Sequence, residues 1–202
     1  MYSTREVKMK QRAFLNLPEN YRPIRSVDLQ KNKKEMLLVN GIALAIGVLM
    51  AVPMHFAVSI GTLFDMSEGL LAYGIRFVVM LAGMIAYIVL HEAVHGIAMK
   101  GFGCKKVRFG FTGMYAYAGC DEYFDKLSYL VIALAPVVVW GIVLGVIQCF
   151  VPVSWLWVVY LIQITNISGA AGDLYVFCLF SKLPKDILVK DVGTSVTVYS
   201  AE

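Results

Sequence analysis

The stretch GLLAYGIRFVVMLAGMIAYIVL, residues 69–90, runs directly into His-Glu-Ala-Val-His at 91–95, and its reading decides the fold. It holds one charge, Arg76, in 22 residues, and about 20 apolar residues suffice for a helix to cross a hydrocarbon layer. Three further stretches are as long: Met36–Phe56 and Leu127–Val151 carry no charge, and Trp155–Phe180 carries only Asp173. The 202-residue chain is 59% hydrophobic and 16% charged, against about a quarter charged in an ordinary soluble domain. Blocks this apolar exceed what a core of that size can bury, so the composition excludes disorder and argues against a soluble enzyme. The expected fold is an all-α membrane protein of four transmembrane helices.

Working outward, the chain divides into a basic tail at 1–35, a four-helix transmembrane unit at 36–183 and a C-terminal tail at 184–202. The first tail carries nine Lys or Arg and is too long and polar for the leading region of a cleaved signal peptide, so the first span is expected to be retained. Of 18 bases, nine lie in that tail, five between Lys100 and Lys126 and three after Phe180, with Arg76 the only one inside a span. The segments between spans one and two and between three and four carry no base at all. Bases stay on the cytoplasmic side, which predicts a multi-pass protein of the bacterial plasma membrane with both termini cytoplasmic. Trp155, Trp157 and Tyr160 would then form an aromatic anchor at the outer face, and Arg76 would snorkel outward or meet Asp65 or Glu68. The net charge of +4 is accounted for by orientation and by attraction to the lipid bilayer, so no nucleic acid partner is expected.

Loop 100–126 is the only sizeable polar piece besides the tails. Val107, Phe109 and Phe111 alternate with Arg108, Gly110 and Thr112, Gly113 breaks the run, and Met114, Tyr115 and Tyr117 follow. A period of two around a turn predicts a β-hairpin. Its free edge could take up an unwound substrate as an added strand, or the hairpin could simply cover the site. Cys104, Cys120, Cys149 and Cys178 form no CxxC pair and are expected as free thiols, although Cys104 and Cys120 bracket one short loop and could meet across its hairpin.

The chemistry concentrates at the end of span two. In a helix, His91 and His95 lie four residues apart on one face and can reach one Zn²⁺, while Glu92 stands beside them as a base. A catalytic zinc needs a third protein ligand so that the fourth position remains open. Asp173 is the candidate, because an ionised carboxylate in a span calls for a cation partner. Its depth also matches: His91 precedes Lys100 by nine residues and Asp173 precedes Lys182 by nine, about 13 Å of helix in each case. Asp121, Glu122 and Asp125 are rivals that read more simply as solvated carboxylates, and His55 reads as an interfacial residue. Asn166, Gly169 and Asp173 fall on one helical face. Asn166 would either donate to a substrate carbonyl or developing oxyanion, or join helices together.

The pair of motifs His91-Glu-Ala-Val-His-Gly96 and Asn166-Ile-Ser-Gly-Ala-Ala-Gly-Asp173 resembles the putative zincin peptidase family of small bacterial membrane proteins, and more distantly the site-2 proteases. The likeness spans about residues 69 to 183. It implies His91, His95 and Asp173 as zinc ligands, Glu92 as the base, and hydrolysis of peptide bonds in membrane protein or peptide substrates. The alternative is a catalytically silent zinc-binding scaffold. The 17-to-0 division of bases between the two sides makes a topological prediction. Reporter fusions after Lys190 should report cytoplasm and fusions at Ser67 the outside; a cytoplasmic Ser67 would remove the depth argument for Asp173.

Overall fold

A computed structural model describes residues 13–113 and 115–201. Arg5, Lys8, Lys10 and Arg12 of the basic tail and Met114 of the hairpin turn lie outside the described residues. Two short strands, β1 (Ala13–Phe14) and β2 (Tyr21–Val27), precede the long helices α1 (Lys33–Ala57) and α2 (Leu70–Gly101), which are joined by a 3₁₀ turn at Ile60–Phe64. Strands β3 (Arg108–Phe111), β4 (Ala116–Gly119) and β5 (Tyr123–Asp125) follow, then helices α3 (Lys126–Gln148), α4 (Val153–Gly169) and α5 (Ala171–Ser181). Strands β6 (Leu188–Asp191) and β7 (Val196–Ala201) close the chain.

Two of the long helices start where the sequence supplies a side-chain cap. The Asn32 side chain accepts the Glu35 N–H at the start of α1, and Asp125 accepts the Ser128 N–H at the start of α3. Counting α4 and α5 together, four helices are long and apolar enough to cross a membrane: Lys33–Ala57, Leu70–Gly101, Lys126–Gln148 and Val153–Ser181. The fourth expected span is interrupted. Gly169-Ala-Ala-Gly172 offers little side-chain packing, and Ala170 leaves helical geometry at φ −83° and ψ 16°, so that α5 begins afresh with Asp173 in its first turn. Pro53 and Pro136 lie inside α1 and α3.

The expected hairpin is present, with Phe109 opposite Ala118 and Phe111 opposite Ala116. Sequence reading did not anticipate the second sheet, which is five-stranded, antiparallel throughout and ordered β1-β5-β6-β7-β2. Segments read as tails therefore build structure. Phe124, Val189 and Val198 of this sheet are fully buried against Met99 of α2, Ile132 of α3 and Phe180 of α5. The sheet thus packs on the end of the bundle where α2 and α5 finish and α3 starts.

A second cluster, Leu63, Met80, Trp157 and Val158, fills the opposite end. Trp157 is buried there, its indole N–H donating to the Val58 carbonyl at 2.9 Å, and Tyr160 donates to Met50 O. This corrects the expected aromatic anchor: Trp157 packs inside the protein because its ring fills the junction of α1, α2 and α4. Arg76 is buried and pairs with Glu68 at 3.1 Å and with the Asp65 carbonyl.

Truncating Phe124, with no exposed surface, leaves a void where sheet and bundle meet and should cost about 3–5 kcal/mol, whereas Phe56 is 83% exposed and meets only the edge of the neighbouring His55 ring among the aromatic contacts of the described residues. Thermal unfolding in micelles should show Phe124→Ala melting several degrees lower and Phe56→Ala unchanged; equal shifts would deny the sheet its part in the core.

Candidate metal centre

Three side chains from two helices converge near the middle of the sheet-proximal half. His91 and His95 occupy one face of α2 and Asp173 the first turn of α5. The His91 Nε2 stands 3.1 Å from one Asp173 oxygen and the His95 Nε2 3.4 Å from the other. One ligand atom from each residue lies within 4.8 Å of the other two.

The remaining ring nitrogens show which lone pairs are free. His95 Nδ1 is 3.0 Å from the Ile132 carbonyl, which can only accept, so that nitrogen carries the proton and Nε2 offers its lone pair. His91 Nδ1 is 2.6 Å from the Tyr87 hydroxyl, which donates onward to Asn166 Oδ1 at 3.0 Å. With that hydroxyl proton committed, its oxygen accepts from His91 Nδ1–H, and Nε2 again faces Asp173. Two imidazole lone pairs and one carboxylate converging at this spacing are the donor set of a catalytic zinc site, in which outer hydrogen bonds orient the imidazoles. The residues present therefore fit zinc.

A cavity of about 500 Å³ opens over these groups. Its lining includes Glu92 beside the histidines, Met36 and Val39 of α1, Ile88 of α2, Ala116–Ala118 of β4 and Thr194–Val196 of the β6–β7 turn. The Ala118 N–H faces the Glu92 carboxylate. The turn is set by Gly193 at φ +89°, where an added Cβ would strike the Tyr117 ring, and only glycine suits both demands. Gly96 has a related role, because a side chain there would meet the Phe109 ring and push the hairpin off α2.

Asn166 is fully buried and absent from the cavity lining: it accepts from Tyr87 and donates to the Val137 carbonyl at 3.3 Å, joining α2, α3 and α4. The rival carboxylates are engaged elsewhere. Asp121 forms a two-pronged pair with Arg108, Asp125 caps α3, and Glu122 stands beside Cys120. His55 accepts the Ile60 N–H at the far end of α1. Cys104 and Cys120 are joined in a disulfide, which corrects the expectation of four free thiols: the hairpin returns the chain to its starting point and brings the two Cα atoms within 6.3 Å. Cys149 and Cys178 are free.

Two features escaped the sequence reading. Tyr87 lies four residues before His91, on the same face, and that spacing was there to be read. Asp191 had no local signal; it reaches the site because β6 ends beneath α3, where it accepts the Tyr129 hydroxyl at 2.9 Å and the Gly193 N–H at 2.8 Å. Burial pushes its carboxyl up to about 6 against those two hydrogen bonds.

Tyr87→Phe retains the ring and deletes the hydroxyl that orients His91, so zinc affinity should fall by about 10- to 100-fold in a chelator competition. An unchanged affinity would show that His91 needs no such support.

The model of the family described as "Putative zincin peptidase" matches residues 84–188, which contain His91, Glu92, His95, Asn166 and Asp173. A 121-residue stretch is 28% identical to an "Uncharacterized 24.7 kDa protein in gap 5'region" of Pyrococcus woesei, an archaeon. That stretch covers 55% of this chain and 50% of the relative, so the match spans about half of each. No solved structure matches the chain. With just over half of the 202 residues covered, including every candidate ligand, the chain belongs to the Putative zincin peptidase family.

Proposed function

We propose that this protein is a membrane-embedded zinc metallopeptidase that hydrolyses peptide bonds of membrane or membrane-associated proteins, in the manner of the site-2 proteases. The observation that carries the reading is the convergence of two imidazole lone pairs on Asp173, with Glu92 alongside at the floor of one cavity. His91, His95 and Asp173 hold the metal in this reading. Bound there, zinc would supply Lewis acidity toward a water molecule and a peptide carbonyl. Glu92 accepts the proton of the attacking water and returns it to the departing amide nitrogen. Tyr87 and the Ile132 carbonyl hold the two imidazoles in the ligating tautomer. Met36, Val39 and Ile88 wall the cavity with apolar surface and limit bulk water.

The strand β4 gives the substrate a place to lie. It pairs with β3 along one edge, and the Ala118 N–H, facing Glu92, marks the edge turned toward the cavity. A helical peptide bond is shielded by its own hydrogen bonds, so a substrate must arrive unwound, and main-chain pairing to β4 would hold it extended without strong dependence on sequence. Asn166 acts in this account through Tyr87 and the helix junction. The basic end of the bundle, with Lys100, Lys105, Lys106, Arg108 and Lys126, belongs in the cytoplasm of a bacterial plasma membrane.

Purified protein should bind about one zinc ion; Asp173→Ala should lose most of it and Asp121→Ala should keep it. Glu92→Gln should retain zinc while cleavage of the membrane proteins trapped by this variant falls at least about 10²-fold relative to wild type. Zinc retained without cleavage by the wild-type protein, against any trapped protein, would favour the silent scaffold.

A further inference from the structure

The Cys104–Cys120 disulfide lies outside the metal centre but is built into its cover. Both cysteines are buried, at 5% and 0% exposure. The Cys104 N–H donates to the carbonyl of Met99, four residues past His95 on α2. The Cys120 N–H donates to the carbonyl of Asp191, at the end of β6. The bond therefore ties the end of the metal-bearing helix to the residue that follows β4, the strand whose Ala118 faces Glu92. It encloses the β3–β4 hairpin in a loop with a sequence separation of 16.

Glu122 completes the group. Its carboxylate is buried, accepts the Lys105 N–H at 3.3 Å and stands 2.9 Å from Cys120 Sγ, with no ion-pair partner among the described residues. A disulfide sulfur has no proton to donate, and this oxygen stands where a thiol at Cys120 would find an acceptor once the bond is reduced. The pair also lies at the end of the protein proposed above as cytoplasmic, where thiol reductants prevail and disulfides are transient. A buried carboxylate suited to the reduced state, beside sulfurs joined in the oxidised state, describes a site that fits both.

We propose that Cys104, Cys120 and Glu122 form a reversible thiol–disulfide site whose oxidation holds β4 over Glu92 and whose reduction by a dithiol releases it. The effect on substrate rests on the peptidase reading; the redox site itself does not. One thiolate of the dithiol attacks Sγ of Cys104, the more exposed of the two residues. The S–S bond breaks, and Cys120 leaves with the electron pair. The proton given up by the attacking thiol reaches Cys120 through the Glu122 carboxyl. The second thiol of the reductant then attacks the mixed disulfide, and its proton passes to Cys104 as that sulfur departs. Two electrons and two protons have moved, the protein holds two thiols, and the reductant is a disulfide.

The test uses the full chain in micelles, with Cys149→Ser and Cys178→Ser so that only this pair titrates. Dithiothreitol is the reductant and glutathione disulfide the oxidant. Alkylation followed by mass measurement should count no thiols in the oxidised protein and two in the reduced, reversibly. Amide hydrogen exchange at Ala116–Ala118 should accelerate at least about tenfold on reduction, and Cys104→Ser should match the reduced protein in both redox conditions. Glu122→Gln should slow reduction with the final thiol count unchanged. A pair that cannot be interconverted in the folded protein, or that interconverts without changing exchange in β4, overturns the proposal. Faster cleavage on reduction supports the control of access, and equal cleavage in the two states overturns it. If neither state cleaves while thiol count and exchange respond as described, the peptidase reading fails and the redox site stands.

Discussion

Asp173 places a carboxylate in the first turn of α5, on a side of the bundle whose other residues are almost all uncharged, and a carboxylate taken from water needs compensating positive charge or hydrogen bonds. Here the two imidazoles of α2 face it, one toward each oxygen. Much of the structure follows from keeping those three groups together. The interruption at Ala170 starts α5 anew with Asp173 in its first turn, and Asp173 meets His91 of α2 one turn beyond the level at which Asn166 meets Tyr87. Asn166 remains fully buried one helix earlier and holds Tyr87, which in turn holds His91. Ile132, in the second turn of α3, performs the same task for His95. The centre is therefore supported from every helix that packs on α2 in this half.

The sheet makes the second contribution. A bundle of apolar helices leaves the polar ends of α2, α3 and α5 open to water, and the five-stranded sheet closes that end through Phe124, Val189 and Val198. Its β6–β7 turn and the β3–β4 hairpin meet so closely that a Cβ at Gly119 would strike the Val192 backbone. Together they roof a cavity lined by Met36, Val39 and Asn40 on the α1 side and by β4 on the other.

The helices and the candidate ligand cluster were legible in the sequence for a simple reason: both signals are local. Apolar runs of 20 or more residues declare themselves, and His91, Glu92 and His95 are fixed relative to one another by helical geometry alone. Asp173 could be read because a single charge in 55 residues is conspicuous, and helix lengths relate its depth to that of His91. The five-stranded sheet was hidden because its strands come from three separate stretches, and none of 13–14, 123–125 or 188–191 is long enough to show a period of two. The closeness of Cys104 and Cys120 across the hairpin was legible, but a compartment argument, which concerns chemistry in the cell and says nothing of distance, set their bond aside. Trp157 was misread for a related reason: an indole near a helix end satisfies an interfacial pattern whether it meets lipid or a neighbouring helix, and only the placement of α1 decides between them.

X-ray absorption at the zinc edge of the purified protein is the most direct test of the central claim, because it reports the atoms around the metal without requiring a substrate. The account predicts a shell of nitrogen and oxygen at about 2.0–2.2 Å with the multiple-scattering signature of two imidazoles and no sulfur. A shell containing sulfur at about 2.3 Å would move the metal to the cysteines, and protein that binds no zinc under any loading condition would contradict the site altogether.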